Sequence, residues 1–573
     1  MKNRQVAQIL YEVADLLELE GVQFKPRAYR RAAQGVESCP TPIEELAAAG
    51  RLSEVAGVGT SIAKKIEEIV RTGKLAYHEK LKADLPADLY ALTQVEGVGP
   101  KTAKLLYDAL GVRSLADLER AARQGLIRQV RGLGEKKEER ILRGLAEARG
   151  VEQRELLGYV RPLAADLCRR LGEGDLFPRL EPAGSMRRGR ETVGDLDLLA
   201  VSPRPEEAVQ AFLALPEVDE VLARGTKRSS VRLAGGFQVD LRIVPEESFG
   251  AALQYFTGSK EHNIRLRERA VARGYKLNEY GLFDAQGERL AGRTEEEVYR
   301  ALGLQFIPPE LREDQGEVQA AERGELPRLV EVGDLRGDAH IHTDWSDGKA
   351  SLADMAAAGR ARGLEYVAVT DHFRFSQAIP GLSADDLSRQ VDEIAKLNEA
   401  GAGARILSGV EANVDREGNV DVPAELLRRL DLVVASVHSH FRLSRKQMTA
   451  RLIRALENEL VDVLGHPTGR LIGERSAYEA DWDEVFHRAA KTGTALEVNA
   501  NPQRLDLSAD LIRAALEVGA KLVVGTDAHA PEHLDFLELG AITARRGWAE
   551  GGQVLTTLSW EAFLAARKRG RDE

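Results

Sequence analysis

The chain has 573 residues, 43% of them hydrophobic and 30% charged, with 53 Gly and 20 Pro. That is more than one compact core holds, and it excludes a largely disordered or collagen-like chain. The net charge of −11 is unevenly spread: residues 1–150 carry 25 Lys and Arg against 21 Asp and Glu, residues 151–310 carry 23 against 26, and residues 311–573 carry 32 against 44. The acidity belongs to the end of the chain and does not exclude a nucleic-acid partner for its beginning.

The opening, MKNRQVAQILYEVADLLELE, reads as an amphipathic helix containing acids, unlike a secretory signal. No run of about eighteen apolar residues follows, so no membrane span is expected. Cys39 and Cys168 lie far apart without a C-x-x-C context and read as reduced thiols of a cytoplasmic protein.

Between residues 52 and 145 one phrase recurs: LSEVAGVGTSIAKKIEEIV, LTQVEGVGPKTAKLLYDAL and IRQVRGLGEKKEERILRGL. Each joins an apolar residue, G-x-G and a basic amphipathic helix. The pattern predicts helix-hairpin-helix units in which Gly57 and Gly59, Gly97 and Gly99, and Gly132 and Gly134 form tight turns. Their backbone N–H groups can approach a phosphate closely, and Lys101 adds charge without reading base edges. The alternative is a repeated helical hairpin with no ligand; the recurrence favours a grip on the DNA backbone.

From about residue 150 to 300 short β-rich runs alternate with helical periodicity. In DLDLLAVS, Asp195 and Asp197 are two apart on a predicted strand and face the same way; FQVDLRIV supplies Asp240 on another. Three converging carboxylates repel one another unless divalent cations neutralise them. Two ions about 3.5–4 Å apart can then activate an attacking oxygen and stabilise a leaving one. A solvated strand face is the bland reading of D-x-D alone. The surroundings count against it: in PAGSMRRG, Gly184, Ser185 and Arg188 can cradle a polyphosphate, and YFTGSKEHN (255–263) is a tight turn leading into a basic helix. Residues 305–335, with adjacent prolines, many acids and weak periodicity, read as a linker.

Beyond residue 336 seven apolar strand-like runs each close on polar residues: RGDAHIH, LEYVAVTDH, ARILSGVEAN, DLVVASVHSH, VDVLGHP, TALEVNA and KLVVGTDAH. The pattern predicts a (β/α) barrel with functional groups at the carboxyl ends of its strands. Seven strands make it a distorted one. His340, His342, Asp347, His372, Glu411, His438, His466, Asp527 and His529 fall at these ends. Six imidazoles and three carboxylates are too many for a hydrogen-bonded core. They suit two or three metal ions with Glu411 as a bridge, and favour zinc, manganese or iron over magnesium alone. His440, two residues after His438, is expected beside the ligand set rather than in it.

GSMRRGRETVGDLDLLAVS followed by VDLRIVPEESFGAALQYFTGSKEHN resembles the nucleotidyltransferase core of family X DNA polymerases, the group containing DNA polymerase beta. The resemblance covers residues 1–310, hairpin repeats included. It implies that Asp195, Asp197 and Asp240 hold two Mg2+ or Mn2+ ions, and that Asp240 helps deprotonate the primer 3′-hydroxyl. Gly184, Ser185, Arg188 and Gly194 would meet the incoming deoxynucleoside triphosphate. Tyr255, Phe256 and Gly258 would line its sugar, and Asn263 would touch the base edge. Lys260 departs from polymerase beta, which is acidic there; beside the incoming nucleotide its cation would strengthen binding before metal arrives. The family's N-terminal domain can also remove 5′-deoxyribose phosphate through a lysine Schiff base. Lys65 is the matching lysine, but Ser61 stands where polymerase beta is basic, so Lys65 as a mere phosphate contact remains the alternative.

The segment after residue 333 resembles the PHP domain of polymerases and histidinol phosphatase, with all nine ligand positions filled. That resemblance implies phosphoester hydrolysis by a metal-activated water, as 3′→5′ exonuclease, 3′-phosphatase or abasic-site endonuclease.

The fold class expected is therefore multidomain. An all-α helix-hairpin-helix region comes first, with a lyase-like DNA-binding part at 1–80 and helix-hairpin-helix fingers at 81–150. An α/β nucleotidyltransferase palm (151–245) with a thumb (246–310) follows. A linker (311–332) leads to a distorted (β/α)7 PHP barrel (333–573). The activity expected is filling of short gaps during base-excision repair, on gapped or primer-template DNA, by a monomer without membrane contact. The rival reading is a DNA-end-binding scaffold joined to a small-molecule phosphatase of the histidinol-phosphatase kind.

Overall fold

A computed structural model describes residues 3–568 apart from 85–91, 146–153, 374–380, residue 402 and a few short gaps in the first 145 positions. The chain divides into two compact units, residues 1–152 and 153–573. The expected domain edge at 150/151, and part of the helix in the third glycine phrase, lie outside the described residues. Among the described residues no helix is long and apolar enough to cross a membrane.

The first unit is helical. Its opening helix, Asn3–Leu19, buries Val6, Leu10, Val13 and Leu17 along one stripe, the spacing of a single helix face. The three glycine phrases fold alike. In the first, Val55 N–H donates to Leu52 O and Val58 N–H to Val55 O; Val95 and Val98 do the same in the second, Val130 and Leu133 in the third. Gly57, Gly97 and Gly132 all take positive φ, at +78°, +89° and +92°, where a side chain is strained. The helices Thr60–Thr72 and Pro100–Leu110 start directly after the first two turns.

The second unit opens with a five-stranded sheet. Its spatial order is Arg179–Pro182, Asp195–Val201, Gln238–Ile243, Arg228–Leu233 and Val218–Ala223. The strands Asp195–Val201 and Gln238–Ile243 run parallel, with Asp197 paired in register to Asp240. The helices Phe249–Thr257 and Lys260–Ala272 and a small three-stranded sheet fall in the segment expected as the thumb. The barrel's seven parallel strands, Gly337–Ile341, Tyr366–Val369, Arg405–Asn413, Leu432–Ser436, Val463–Gly465, Ala495–Asn499 and Leu522–Gly525, neighbour one another in chain order. The first and last meet through His342 N–H to Ala528 O and Asp527 N–H to His340 O, both 2.8 Å. The expected distorted seven-stranded barrel is what forms.

The segment expected as a linker, 311–332, is instead folded and packed. It contains the helix Glu317–Arg323, and Leu311, Arg312, Glu317 and Val330 are almost fully buried. Arg312 donates to Ile307 O at 2.9 Å and to Glu295 at 2.6 Å; Glu317 holds His262 at 2.6 Å. Its polar residues looked solvated in sequence because their partners are the thumb's own buried polar groups. A seven-residue helix is also too short to show a period.

Candidate metal centres

Because the two central palm strands are parallel and in register, Asp195, Asp197 and Asp240 share one sheet face, and one oxygen from each lies within 4.8 Å of the others. Burial and the charge of Asp195 push the Asp197 carboxyl up to about 6. A divalent cation relieves that repulsion, so this donor set fits hard metal ions. Asp240 is gripped by two residues that sequence reasoning missed, Arg228 at 2.7 Å and Gln238 at 2.9 Å. Arg228 lies on the neighbouring strand Arg228–Leu233 and Gln238 on the strand of Asp240 itself, and a strand-borne Arg or Gln gives no sequence signal of its own. Gly194 is buried directly before Asp195.

Two glycines are required by close approach. A Cβ on Gly184, at φ +64°, would stand 2.8 Å from Asp197 Oδ2. One on Gly258, at φ +68°, would stand 3.2 Å from Arg188 Nη1. The turn of Ser185 and the Y-F-T-G-S turn are therefore brought together through Arg188. Phe256 lies under the Arg242 guanidinium at 4.3 Å, with the Tyr255 ring edge-on to it at 5.1 Å. Asn263 is turned inward: it accepts from Gln254 at 2.6 Å and donates to Tyr255 O at 2.7 Å. Lys260 is exposed at the first position of its helix, whose N-cap is Ser259.

In the first unit Gly59, Gly99 and Gly134 are exposed, and a Cβ on any of them would meet nothing within 4 Å. Lys101 is exposed, its Nζ 3.9 Å from Glu18. Lys65 is half-buried on the helix Thr60–Thr72, its Nζ 5.3 Å from the centre of the Tyr77 ring.

The barrel brings all nine expected residues together. His342, Asp347, His372 and His529 form one group; His340, His342 and Asp527 a second; His372, Glu411 and His438 a third. His466 Nε2 lies 2.9 Å from Glu411 Oε1. His342 Nδ1 and His466 Nδ1 are buried without a hydrogen-bond partner, an arrangement that costs stability unless something else takes the lone pair. Burial lowers the His438 imidazole to about 4. It acts on His529 in the same direction, but Asp347 and Asp527 outweigh it and raise that ring to about 9. Nitrogen and oxygen donors in mixed protonation states, packed this closely, fit divalent ions that displace the protons. His440 is exposed, outside the cluster.

Around this cluster stand residues the sequence did not single out. Glu497 bonds His340 Nδ1 at 2.7 Å and the backbone N–H of His466. Arg504 Nε lies 3.2 Å from Asp527. Asp371 ties Thr343, Ser346 and Gln390 together.

Comparison with known proteins agrees with this geometry. Family models match residues 1–75 (helix-hairpin-helix domain), 89–147 (SAM-like helix-hairpin-helix tandem), 252–313 (DNA polymerase beta thumb) and 338–501 (PHP domain). The chain is 38% identical over 571 residues to the DNA polymerase/3′-5′ exonuclease PolX of Bacillus subtilis, covering 98% of this chain and 99% of that one. DNA polymerase lambda of Arabidopsis thaliana is 27% identical over 54% of this chain and 62% of its own length. A probable phosphatase of Thermoanaerobacter sp. is 32% identical over 34% of this chain and 78% of its own.

Proposed function

The chain belongs to the family X DNA polymerases that carry a PHP domain, and on that premise we propose that it fills short gaps in DNA during base-excision repair. Its barrel hydrolyses phosphoesters at 3′ ends. The observation that carries the reading is the coexistence of two separate ligand sets in one chain, Asp195, Asp197 and Asp240 in the palm and nine His, Asp and Glu residues in the barrel.

When bound, Mg2+ or Mn2+ in the palm offsets the charge of the three carboxylates and of the phosphate in transfer. Arg188 and Ser185 bind the triphosphate, and Tyr255 and Phe256 line its sugar. Asp240, oriented by Arg228 and Gln238, accepts the proton of the primer 3′-hydroxyl. The glycine turns hold the DNA backbone, with Lys101 beside them. In the barrel, zinc, manganese or iron would suit the imidazole-rich set, and Glu411, within reach of His340, His372, His438 and His466, would be the ligand shared between ions. Its substrates are 3′-terminal nucleotides, 3′-phosphates and abasic sites. Lys65 is the candidate for 5′-deoxyribose phosphate removal, which trapping with borohydride tests. The protein acts in the cytoplasm as a monomer.

The test is a gap-filling assay with deoxynucleoside triphosphates. Asp195→Asn is expected to abolish nucleotide addition while gapped-DNA binding and 3′-end hydrolysis persist. Robust extension by that variant overturns the assignment of these carboxylates.

A further inference from the structure

The turn given above to the triphosphate is completed by the barrel. Gly189 has φ +67°, and a Cβ there would stand 2.2 Å from Ile542 Cγ2 and 3.5 Å from Arg546 Cδ. The bare backbone lets the barrel helix Leu537–Arg546 lie directly on the Gly184–Arg190 turn. Arg546, only 9% exposed, donates through Nη1 to the carbonyl of Arg188 at 2.7 Å and to Glu313 Oε1 at 3.1 Å. The same Glu313 oxygen accepts from Arg188 Nε at 3.1 Å, with Arg190 Nη1 3.8 Å away. Arg188 Nη1 donates to Thr257 O at 2.5 Å. Nη2 is then the one guanidinium nitrogen of Arg188 with no protein partner among the described residues.

This arrangement has an electrostatic cost and an answer to it. Glu313 is a half-buried carboxylate beside a turn that, on the polymerase reading, receives a polyanion. Unneutralised, it would repel the triphosphate and draw Arg188 to itself. Burial alone would raise its carboxyl, but Arg188, Arg546 and Arg190 together hold it below the usual range. Arg546 is the member of this set that comes from the barrel.

We propose that Arg546 is a positioning residue for nucleotide binding by the polymerase. It fixes the Arg188 carbonyl and neutralises Glu313, so that Arg188 presents Nη2 to the triphosphate. The phosphoesterase barrel is thus a structural part of the polymerase's nucleotide site. The proposal rests on the reading of Arg188 as a triphosphate ligand, and the test separates the two.

In the full-length protein, dNTP is titrated in single-nucleotide gap filling for Arg188→Ala, Arg546→Met, Arg546→Lys, Glu313→Gln and the Arg546→Met/Glu313→Gln pair. Methionine keeps the packing length of arginine and removes its donors and charge. Arg546→Met is expected to raise KM for dNTP about 10- to 100-fold, the range for losing a hydrogen bond to a charged group, with kcat within about threefold. Arg546→Lys should fall between, and the pair should recover most of the loss because the charge needing neutralisation is gone. Hydrolysis of a 3′-terminal nucleotide should match the parent protein, and the melting temperature should fall only modestly, because Glu313 and the Arg188 carbonyl lose a partner, with part of that fall recovered in the pair. If Arg188→Ala raises KM while Arg546→Met stays within about twofold of the parent, the proposal is overturned and the polymerase reading stands. If Arg188→Ala itself has no effect, the reading of Arg188 fails instead, and the proposal with it. Loss of hydrolysis in Arg546→Met, or no recovery of KM in the pair, reduces Arg546 to a packing role and also overturns the proposal.

Discussion

Glu497 lies in a strand, Ala495–Asn499, in which every residue is buried. Its carboxylate takes His340 Nδ1 on one side and the His466 backbone N–H on the other. Gly525 leaves room for it, since a Cβ there would stand 2.5 Å from Glu497 Oε1. A carboxylate that binds the far nitrogen of a ligating histidine fixes that ring's tautomer and angle. Glu497→Ala is therefore expected to lower 3′-end hydrolysis about 10- to 100-fold and to reduce the barrel's metal content, read by elemental analysis. Gap filling should be untouched; unchanged hydrolysis would show that His340 is oriented by the barrel alone. The nine ligand candidates were legible in the sequence because an apolar barrel core has no use for imidazoles and carboxylates at one strand end after another. Glu497 was not, although an acid flanked by Leu496 and Val498 in the strand ALEVN is the signal that could have found it. Arg228 and Gln238 left no signal at all, since exposed and half-buried strand positions carry such residues routinely.

At the scale of elements, each helical hairpin uses its two glycines for different ends. Gly57 sits at φ +78°, and a Cβ on it would meet the Arg31 backbone carbonyl at 2.8 Å. Gly59, two residues on, has open space around its Cα. The first glycine thus serves the fold, and the second is free to serve a ligand. Gly57→Ala should destabilise the protein by about 1–2 kcal/mol or more in a denaturant titration, since both the backbone conformation and the contact oppose it. Gly59→Ala combined with Gly99→Ala should leave the melting temperature unchanged yet weaken gapped-DNA binding about tenfold or more in fluorescence anisotropy. Parent affinity should itself fall steeply between about 50 and 200 mM salt. Salt-insensitive binding, or full affinity in the double variant, removes the phosphate role of these turns. The hairpins and the barrel were readable because each repeats a phrase, and repetition separates pattern from accident. The segment 311–332 was not. Its acids and arginines satisfy buried partners such as His262 and Glu295, and a chain read alone does not reveal which polar residues will find partners.

The palm and the barrel of the second unit each have a core of their own, and part of the barrel's apolar surface joins the palm's. Leu505, Leu539 and Ile542 of the barrel pack into the cluster formed by Leu157, Leu167, Val193 and Leu196. Gly158 has no space for a Cβ, which would lie 2.7 Å from Pro502. Ion pairs reinforce the seam, with Arg470 on Glu191 and Arg545 on Glu310, both at 2.7 Å. The two sites are chemically separate, because no ligand is common to them, but the domains that carry them are physically joined. This distinguishes two ways of silencing the barrel. In full-length His342→Ala/His438→Ala the seam is intact; 3′-end hydrolysis and barrel metal should be lost while gap filling continues at near the parent rate, circular dichroism confirming a folded chain. A fragment ending at residue 310 loses Leu539, Ile542, Arg312 and Glu317, exposing apolar palm surface and leaving Glu295 and His262 short of their buried partners. It should melt lower than the full chain and fill gaps far less well, even though every palm carboxylate is present. Equal activity and melting in the fragment would mean that the seam contributes nothing to the polymerase, and that the barrel is a passenger on it.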